Sequence, residues 1–190
     1  MNITIFGNGT MGNAIGGMLA RGGASIQYVG SDAVDAQIDG DIVILAVPYA
    51  ALSRIASEYA DRLAGRTVVD ITNPLDFTTF DALVVPAGSS AAAELQAALP
   101  DARVLKAFNT NFAATLASGI VGDTTTTVLI AGDDAAAKQT LAAAITAGGL
   151  DAVDAGSLAR AHELEAIGFQ QLALAAAEKI GWDAGFALAR

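Results

Sequence analysis

Short apolar runs alternate along the chain with longer segments in which apolar residues recur every three or four positions. Met11, Ile15 and Met18 form such a helical stripe, whereas the run 42–47 is aliphatic throughout, which is typical of a strand buried on both faces. Alternation of strands and helices predicts an α/β fold built on a mostly parallel, doubly wound sheet. The predicted strands are 3–6, 25–29, 42–47, 67–71, 103–107, 125–131 and 152–154, and the predicted helices are 10–21, 50–63, 90–99, 135–147 and 158–180.

The connection between the second and third predicted strands is short. Residues 30–41 form the whole link, which is barely enough for a crossover between parallel strands. We expect the strand at 42–47 to pair with the first strand and to form the centre of the sheet. The strand and helix that usually occupy this link are expected to be missing.

Composition and charge narrow the classes of function. The 190 residues include 20 acidic and 10 basic side chains, and the net charge of −10 disfavours binding to nucleic acid. Because the chain has no cysteine and a single histidine, His162, we expect neither a disulfide nor a metal site. The longest apolar stretch, 42–52, is too short to cross a membrane, and no secretory signal is visible. We expect one cytoplasmic domain over 1–190, with a helical extension over about 157–190 and no nucleic-acid or membrane partner.

A glycine-rich turn at 7–12 follows the first predicted strand and matches the pattern G-x-G-x-x-G. The first glycine allows a tight turn, the second lets the backbone approach a pyrophosphate, and the third lets the helix pack against the strand. The helix that begins near Thr10 directs free N–H groups and its positive dipole end at the phosphates. The turn therefore predicts a Rossmann-type site for NAD or NADP. Its residues are Gly7, Asn8, Gly9, Thr10, Met11 and Gly12.

The end of the second predicted strand carries the candidates for binding the adenosine ribose. Asp32 lies twenty residues after Gly12, where an acidic side chain accepts hydrogen bonds from the ribose of NAD. Asp32 also fits the start of a turn, and Ser31 with nearby N–H groups and Arg54 would hold the 2′-phosphate of NADP instead. The choice between NAD and NADP stays open.

Three further segments carry a resemblance to a known family. They are Ile42–Pro48 (IVILAVP), Val69–Leu75 (VDITNPL) and Val104–Thr110 (VLKAFNT). Together they resemble, over nearly the whole chain, the predicted dinucleotide-binding proteins related to NADPH:coenzyme F420 oxidoreductase, the deazaflavin-dependent NADP reductases. The resemblance implies an oxidoreductase that transfers hydride between a nicotinamide nucleotide and a deazaflavin (F420), a flavin or a similar planar acceptor. The basic residue that the family has after the second strand is replaced here by Asp32.

The resemblance also implies where the coenzyme lies. Ala46, Val47 and Pro48 would pass under the nicotinamide ribose. The residues implied to line the nicotinamide end are Asn73, Pro74, Phe108, Asn109 and Thr110. Asn73 also fits the start of a turn, and Asn109 also fits the cap of a short helix from Phe112.

Two other functions stay open. Reduction of a small carbonyl or imine would need a proton donor, for which Tyr49 and His162 are the candidates. A non-catalytic module that senses the pyridine-nucleotide pool would need neither. The scarcity of histidine, cysteine and titratable clusters favours hydride transfer, which requires positioning of two rings rather than proton exchange.

The last predicted helix presents a broad apolar surface, from which we expect a homodimer. Gly168 predicts a kink in this helix. Trp182 and Phe186 are more typical of core packing or subunit contact than of a platform on which a ring stacks. Asp134 and Ser157 are candidate N-caps of the last two helices.

Overall fold

The computed structural model describes residues 1–31, 33 and 35–189. The strands are β1 (Asn2–Phe6), β2 (Ser25–Val29), β3 (Ile42–Leu45), β4 (Thr67–Asp70), β5 (Arg103–Lys106), β6 (Ile120–Val121), β7 (Thr124–Thr125), β8 (Thr127–Gly132) and β9 (Asp151–Gly156). The helices are α1 (Thr10–Arg21), α2 (Leu52–Leu63), α3 (Ala91–Ala98), α4 (Ala113–Ser118), α5 (Ala135–Ala147) and α6 (Ala161–Ala176).

Within the described residues, seven strands form one sheet in the order β2-β1-β3-β4-β5-β8-β9, and β6 pairs with β7. Strands β1 to β5 run parallel, β8 pairs with β5 in the antiparallel sense, and β9 runs parallel to β8. The predicted α/β fold with a mostly parallel sheet is therefore confirmed. Strand β3 pairs with β1 as expected, but the middle of the sheet is β4 rather than β3.

Helices cover both faces of the sheet, and the alternation of side chains in β3 explains why. Ile42 and Ile44 belong to the core layer that includes Ile15 of α1, together with residues of α4 and α5. Val43 and Leu45 point to the opposite face and belong to the layer formed with α2 and α3. Because successive side chains of a strand alternate between faces, an all-aliphatic strand must be covered on both.

The short link between β2 and β3 runs along the sheet without regular structure in its described part, residues 30–31, 33 and 35–41. The guanidinium of Arg66 donates to the carbonyl oxygens of Ile38, at 3.1 Å, and of Gly40. The hydroxyl of Thr4 accepts from the N–H of Gly40 at 2.9 Å. Side chains from β1 and from the residues before β4 thus satisfy backbone groups that a further strand would otherwise pair.

The predicted helix over 158–180 is divided. A 3-10 turn at Leu158–Arg160 precedes α6, and α6 ends at Ala176 because Glu178 adopts a left-handed conformation, with φ of 56°. The tail then returns to α6, where the N–H of Phe186 donates to the side-chain oxygen of Gln171 at 3.0 Å.

The two predicted N-caps differ in outcome. Asp134 caps α5 by accepting from the N–H of Ala137 at 2.8 Å, as predicted. Ser157 makes no side-chain cap. No helix in the described part of the chain has the length and apolar character that crossing a membrane requires.

Candidate functional site

The glycine turn lies between β1 and α1 and is shaped by close backbone contacts. Gly7 has φ of 98°, and a Cβ there would lie 2.2 Å from the carbonyl oxygen of Ala46. A Cβ on Gly12 would lie 2.2 Å from the carbonyl oxygen of Gly7. Both positions therefore require glycine, the first for its conformation and both for lack of space.

The start of α1 has the form of an anion site. Gly9 is the N-cap, so no side chain caps the helix, and its first turn contains no acidic residue. A Cβ built on Gly9 would meet no described protein atom within 4 Å. Below it, the amide of Asn13 donates to the carbonyl oxygen of Asn8 at 2.6 Å and fixes the turn. The N–H groups of the first turn are thus left to a ligand, and the donor set fits a pyrophosphate.

The first cavity, of about 300 Å³, opens at this helix start. It lies at the carboxyl ends of β1, β3 and β4, where parallel α/β sheets bind their ligands. Its lining residues are Gly9, Thr10, Met11, Gly12, Ala46, Val47, Pro48, Tyr49, Ile71, Thr72, Asn73, Phe77 and Leu172. The glycine turn and the segment after β3, which are far apart in sequence, therefore meet at one groove.

The second cavity, of about 360 Å³, continues the first. The two share Thr10, Met11, Ile71, Asn73 and Leu172. Its other lining residues are Asn109, Asn111, Phe112, Ala113, Ala114 and Trp182. Together the cavities form a groove from the helix start, past the ends of β4 and β5, to the chain's only tryptophan.

Asn73 and Asn109, which both follow predicted strands, are brought together beneath this groove. The Nδ2 group of Asn109 donates to Oδ1 of Asn73 at 2.9 Å and to the carbonyl oxygen of Leu164, in α6, at 2.8 Å. Asn73 in turn donates to the carbonyl oxygen of Asn109 at 2.8 Å. A Cβ on Gly168 would lie 2.3 Å from Oδ1 of Asn73, so glycine at this position permits the close approach of α6. Gly168 therefore has a packing role where the sequence predicts a kink.

A buried charge cluster next to this network has no counterpart in the sequence-based prediction. Nζ of Lys106 lies 2.8 Å from Oδ2 of Asp70 and 2.7 Å from Oε1 of Glu165, and all three side chains are fully buried. Lys106 also donates to the carbonyl oxygen of Thr72, at 2.5 Å, in the first-cavity wall. Burial raises the pKa of Glu165, while Lys106 opposes the rise. A lysine within the apolar run VLKAF was the available signal.

Glu165 also occupies the start of α3. Its carboxylate accepts from the N–H of Ala91 at 3.0 Å and of Ala92 at 3.4 Å. These are among the groups that a helix start leaves unpaired, so a carboxylate is favourable there. One side chain of α6 thereby links α3 to the end of β5.

The two candidate proton donors are already engaged. The hydroxyl of Tyr49 donates to Glu94 at 2.6 Å, and this bond is the main cause that raises the pKa of Tyr49 to about 12. Nδ1 of His162 lies 3.0 Å from the carbonyl oxygen of Ser89, and His162 lines neither cavity.

Several predicted site residues lie away from the groove lining. Phe108 is fully buried in the core and Thr110 lines a third cavity, so neither side chain lines the groove, and their place at the nicotinamide end stays a prediction. Pro74 is buried and does not line either part of the groove. Ser31 is exposed after β2, and Asp32 lies outside the described residues.

Trp182 was expected to pack in the core or at a subunit contact, but it lines the second cavity. The third cavity, of about 470 Å³, lies between α6, β8 and the tail that contains Phe186. Neither position could be predicted, because periodicity carries no information on where an irregular tail returns.

Comparison with known proteins finds similarity to NADP oxidoreductases, which fits a groove that begins at a pyrophosphate site. The family model for NADP oxidoreductase, coenzyme F420-dependent, matches residues 24–74, from the start of β2 to the end of the Asn73–Pro74 segment. No curated protein sequence gives a significant match.

Solved structures are similar over most of the chain. A candidate F420-dependent NADP reductase from Arthrobacter sp. FB24 is 26% identical, with a TM-score of 0.87 and 99% of each chain covered. The hypothetical protein SMa0349 from Sinorhizobium meliloti is 29% identical, with a TM-score of 0.70, 84% of this chain and 86% of that chain covered. An imine reductase from Streptomyces aurantiacus, 16% identical with a TM-score of 0.64 over 92% of this chain and 61% of its own, shares the fold. The match to the family model over residues 24–74 and the whole-chain similarity to a candidate F420-dependent NADP reductase both support the resemblance that the sequence motifs carry.

Proposed function

We propose that the protein binds NADP(H) or NAD(H) along the groove and transfers hydride to a deazaflavin, a flavin or a similar planar acceptor. The observation that carries this proposal is the continuity of the two cavities, which begins at the uncapped start of α1. The family model that matches residues 24–74 describes NADP oxidoreductases, and the similar structure from Arthrobacter is a candidate NADP reductase; both support a nicotinamide coenzyme in the groove.

Different residues of the groove bind different parts of the coenzyme. The N–H groups at the start of α1 hold the pyrophosphate, and the glycine at position 9 leaves space for it. Ala46, Val47 and Pro48 form the floor under the nicotinamide ribose. The Asn73–Asn109 pair fixes the wall where the two cavities meet.

A reduced nicotinamide, when bound, supplies the hydride. The protein's part is to bring donor and acceptor rings within about 3 to 3.5 Å of each other and to exclude water. The described lining of the groove contains one titratable side chain, Tyr49. Its hydroxyl already donates a hydrogen bond to Glu94. A positioning mechanism fits this lining better than carbonyl or imine reduction, which needs a proton donor.

The preference between NADP and NAD is proposed to depend on the segment after β2. Ser31 and the short link offer hydroxyl and backbone groups, whereas the sequence places an acidic residue at 32. We expect Asp32→Arg to raise the affinity for NADPH relative to NADH, because a guanidinium forms charge-assisted bonds with a phosphate. An unchanged affinity ratio would place residue 32 away from the ribose.

The direct test follows the absorbance of reduced nicotinamide on mixing purified protein with NADPH or NADH. The acceptor panel is coenzyme F420, FMN, FAD, riboflavin and small quinones, with protein-free mixtures as blanks. We expect turnover with at least one ring system. Tight coenzyme binding without turnover on any acceptor would favour the sensor function instead.

A further inference from the structure

The lining of the second cavity indicates which part of the hydride acceptor binds there. We infer that it binds the uncharged planar ring of the acceptor by stacking on Trp182, and that it gives no added affinity to an anionic tail. This inference deepens the proposed function and rests on it for the identity of the occupant as a hydride acceptor.

The first step is the aromatic wall. Trp182 is 54% exposed, although it lies in the cavity lining and contacts the ring of Phe112. The ring centroids are 5.1 Å apart with an interplanar angle of 49°. Phe112 is itself buried, at the N-cap of α4, and supports the indole from behind. A large aromatic surface that is supported on one side and open on the other is suited to stacking.

The second step is location. Phe112 and Trp182 line the second cavity only, Gly9 and Gly12 line the first only, and Thr10, Met11 and Asn73 line both. A coenzyme whose pyrophosphate is held by Gly9 would extend its nicotinamide towards this wall. A ring that stacks on Trp182 would therefore lie beside the nicotinamide. The volume of about 360 Å³ is near the lower end for small-molecule sites, which run from about 300 Å³, and suits a ring system rather than a whole dinucleotide.

The third step is charge. None of the lining residues of the second cavity, all of them described, carries a formal charge. Its polar lining consists of Thr10, Asn73, Asn109 and Asn111. The Nδ2 groups of Asn109 and Asn111 donate to the carbonyl oxygens of Leu164 and Thr127. The remaining Oδ1 atoms are hydrogen-bond acceptors with no partner in the described part of the chain. Apart from the N–H groups at the start of α1, which the coenzyme's pyrophosphate would occupy, this lining and a net charge of −10 offer nothing to a phosphate or carboxylate, whereas they tolerate a neutral ring.

Riboflavin and FMN provide the test, because they share one ring system and differ by a phosphate. We would titrate each with protein saturated with NADP⁺, so that the anion site at the start of α1 is occupied, and follow the fluorescence of the flavin, which reports binding without turnover. We expect the two dissociation constants to agree within about threefold, since phosphate contacts are what would separate them. A preference of tenfold or more for FMN would overturn the inference.

Variants test the role of Trp182. Stacking of a ring on an aromatic side chain contributes enough that Trp182→Leu should weaken riboflavin binding by about fivefold or more, whereas Trp182→Phe should retain most of it. Phe186→Leu is the matched control, because Phe186 is equally exposed on the same tail but lines the third cavity. Equal riboflavin affinity in Trp182→Leu and wild type would overturn the inference.

A separate titration with NADPH distinguishes the two claims. We expect all three variants to bind NADPH as wild type does. If riboflavin binding depends on Trp182 but no acceptor is reduced, the ring site stands and the proposed activity is wrong. If acceptors are reduced equally by wild type and Trp182→Leu, the activity stands and the assignment of Trp182 is wrong.

Discussion

Nζ of Lys106 and Oε1 of Glu165 lie 2.7 Å apart, and neither side chain has any exposed surface. Lys106 is the last residue of β5 and Glu165 lies in the second turn of α6. Asp70, at the end of β4, contacts the same ammonium group at 2.8 Å. One cation is thus shared by two carboxylates, and the cluster joins the ends of two central strands to the helix above them.

Removing the ammonium group of Lys106 should destabilise the fold. Lys106→Met leaves two carboxylates buried without their partner, and we expect a loss of about 3–5 kcal/mol in the free energy of unfolding, measured by urea denaturation. Arg54→Met is the control, because Arg54 and Glu58 form an exposed pair at 2.7 Å whose removal should cost no more than about 1 kcal/mol. Similar losses in the two variants would contradict the assigned role of the cluster.

The raised pKa of Glu165 predicts a pH dependence of stability. Its carboxyl binds a proton more tightly in the folded state than in the unfolded state, where the pKa is about 4.3. Its contribution to stability is therefore complete below that value and is lost as the pH rises through the folded-state pKa. We expect the free energy of unfolding of wild type, relative to Glu165→Gln, to fall over this range. Parallel curves for the two proteins in urea titrations from about pH 4 to 8 would contradict the shift.

Gly9→Asp should separate coenzyme binding from folding. Aspartate is a favourable N-cap and meets no described atom within 4 Å, so the melting temperature should be maintained or raised. NADPH should bind at least about tenfold more weakly, because like charges about 4 Å apart repel by about 4 kcal/mol near a protein surface.

Two matched variants accompany this experiment. Gly9→Asn has a similar shape without the charge and should lose less affinity. Gly17→Asp places the same charge on the exposed face of α1 and should bind NADPH as wild type does. Wild-type affinity in Gly9→Asp would place the pyrophosphate elsewhere.

Gly168→Ala and Gly17→Ala should have opposite effects on stability. Alanine is favoured over glycine in helices, so Gly17→Ala, with open space around it, should stabilise by about 0.4–1 kcal/mol. At Gly168 the new methyl group would meet Asn73 and the backbone of Asn109, and we expect a net loss of about 1–3 kcal/mol together with slower turnover. Stabilisation by both variants in thermal melts would show that α6 can move away freely.

Tyr49→Phe and His162→Ala test the mechanism. Both side chains hydrogen-bond protein groups, and neither is needed for hydride transfer between rings. We expect turnover with a planar acceptor to change by less than about threefold, whereas loss of a general acid costs about 10²- to 10⁴-fold. A large loss in either variant would favour carbonyl or imine reduction.

The parts of the structure that sequence predicts well are those set by local pattern. The aliphatic run before Pro48 and the glycine spacing after β1 each restrict the backbone within a few residues, and both lie where predicted. The pairing of Lys106 with Glu165 depends on a contact across fifty-nine positions, which no periodicity reveals. Phe108, two residues after β5, is buried in the core and adopts φ of 64°, a backbone conformation that is uncommon for phenylalanine and that sequence pattern does not predict.

Helix α6 is held at successive turns: Glu165 contacts α3 and β5, Leu164 accepts from Asn109, and Gly168 lies against Asn73. Moving it outward would break a fully buried ion pair and a buried hydrogen bond. Molecules that exchange at the groove would then do so on its open side, where the exposed rings of Phe77 and Trp182 line the first and second cavities. Selectivity in such a protein would reside in a preformed shape, and its catalytic cycle would proceed without a closing movement.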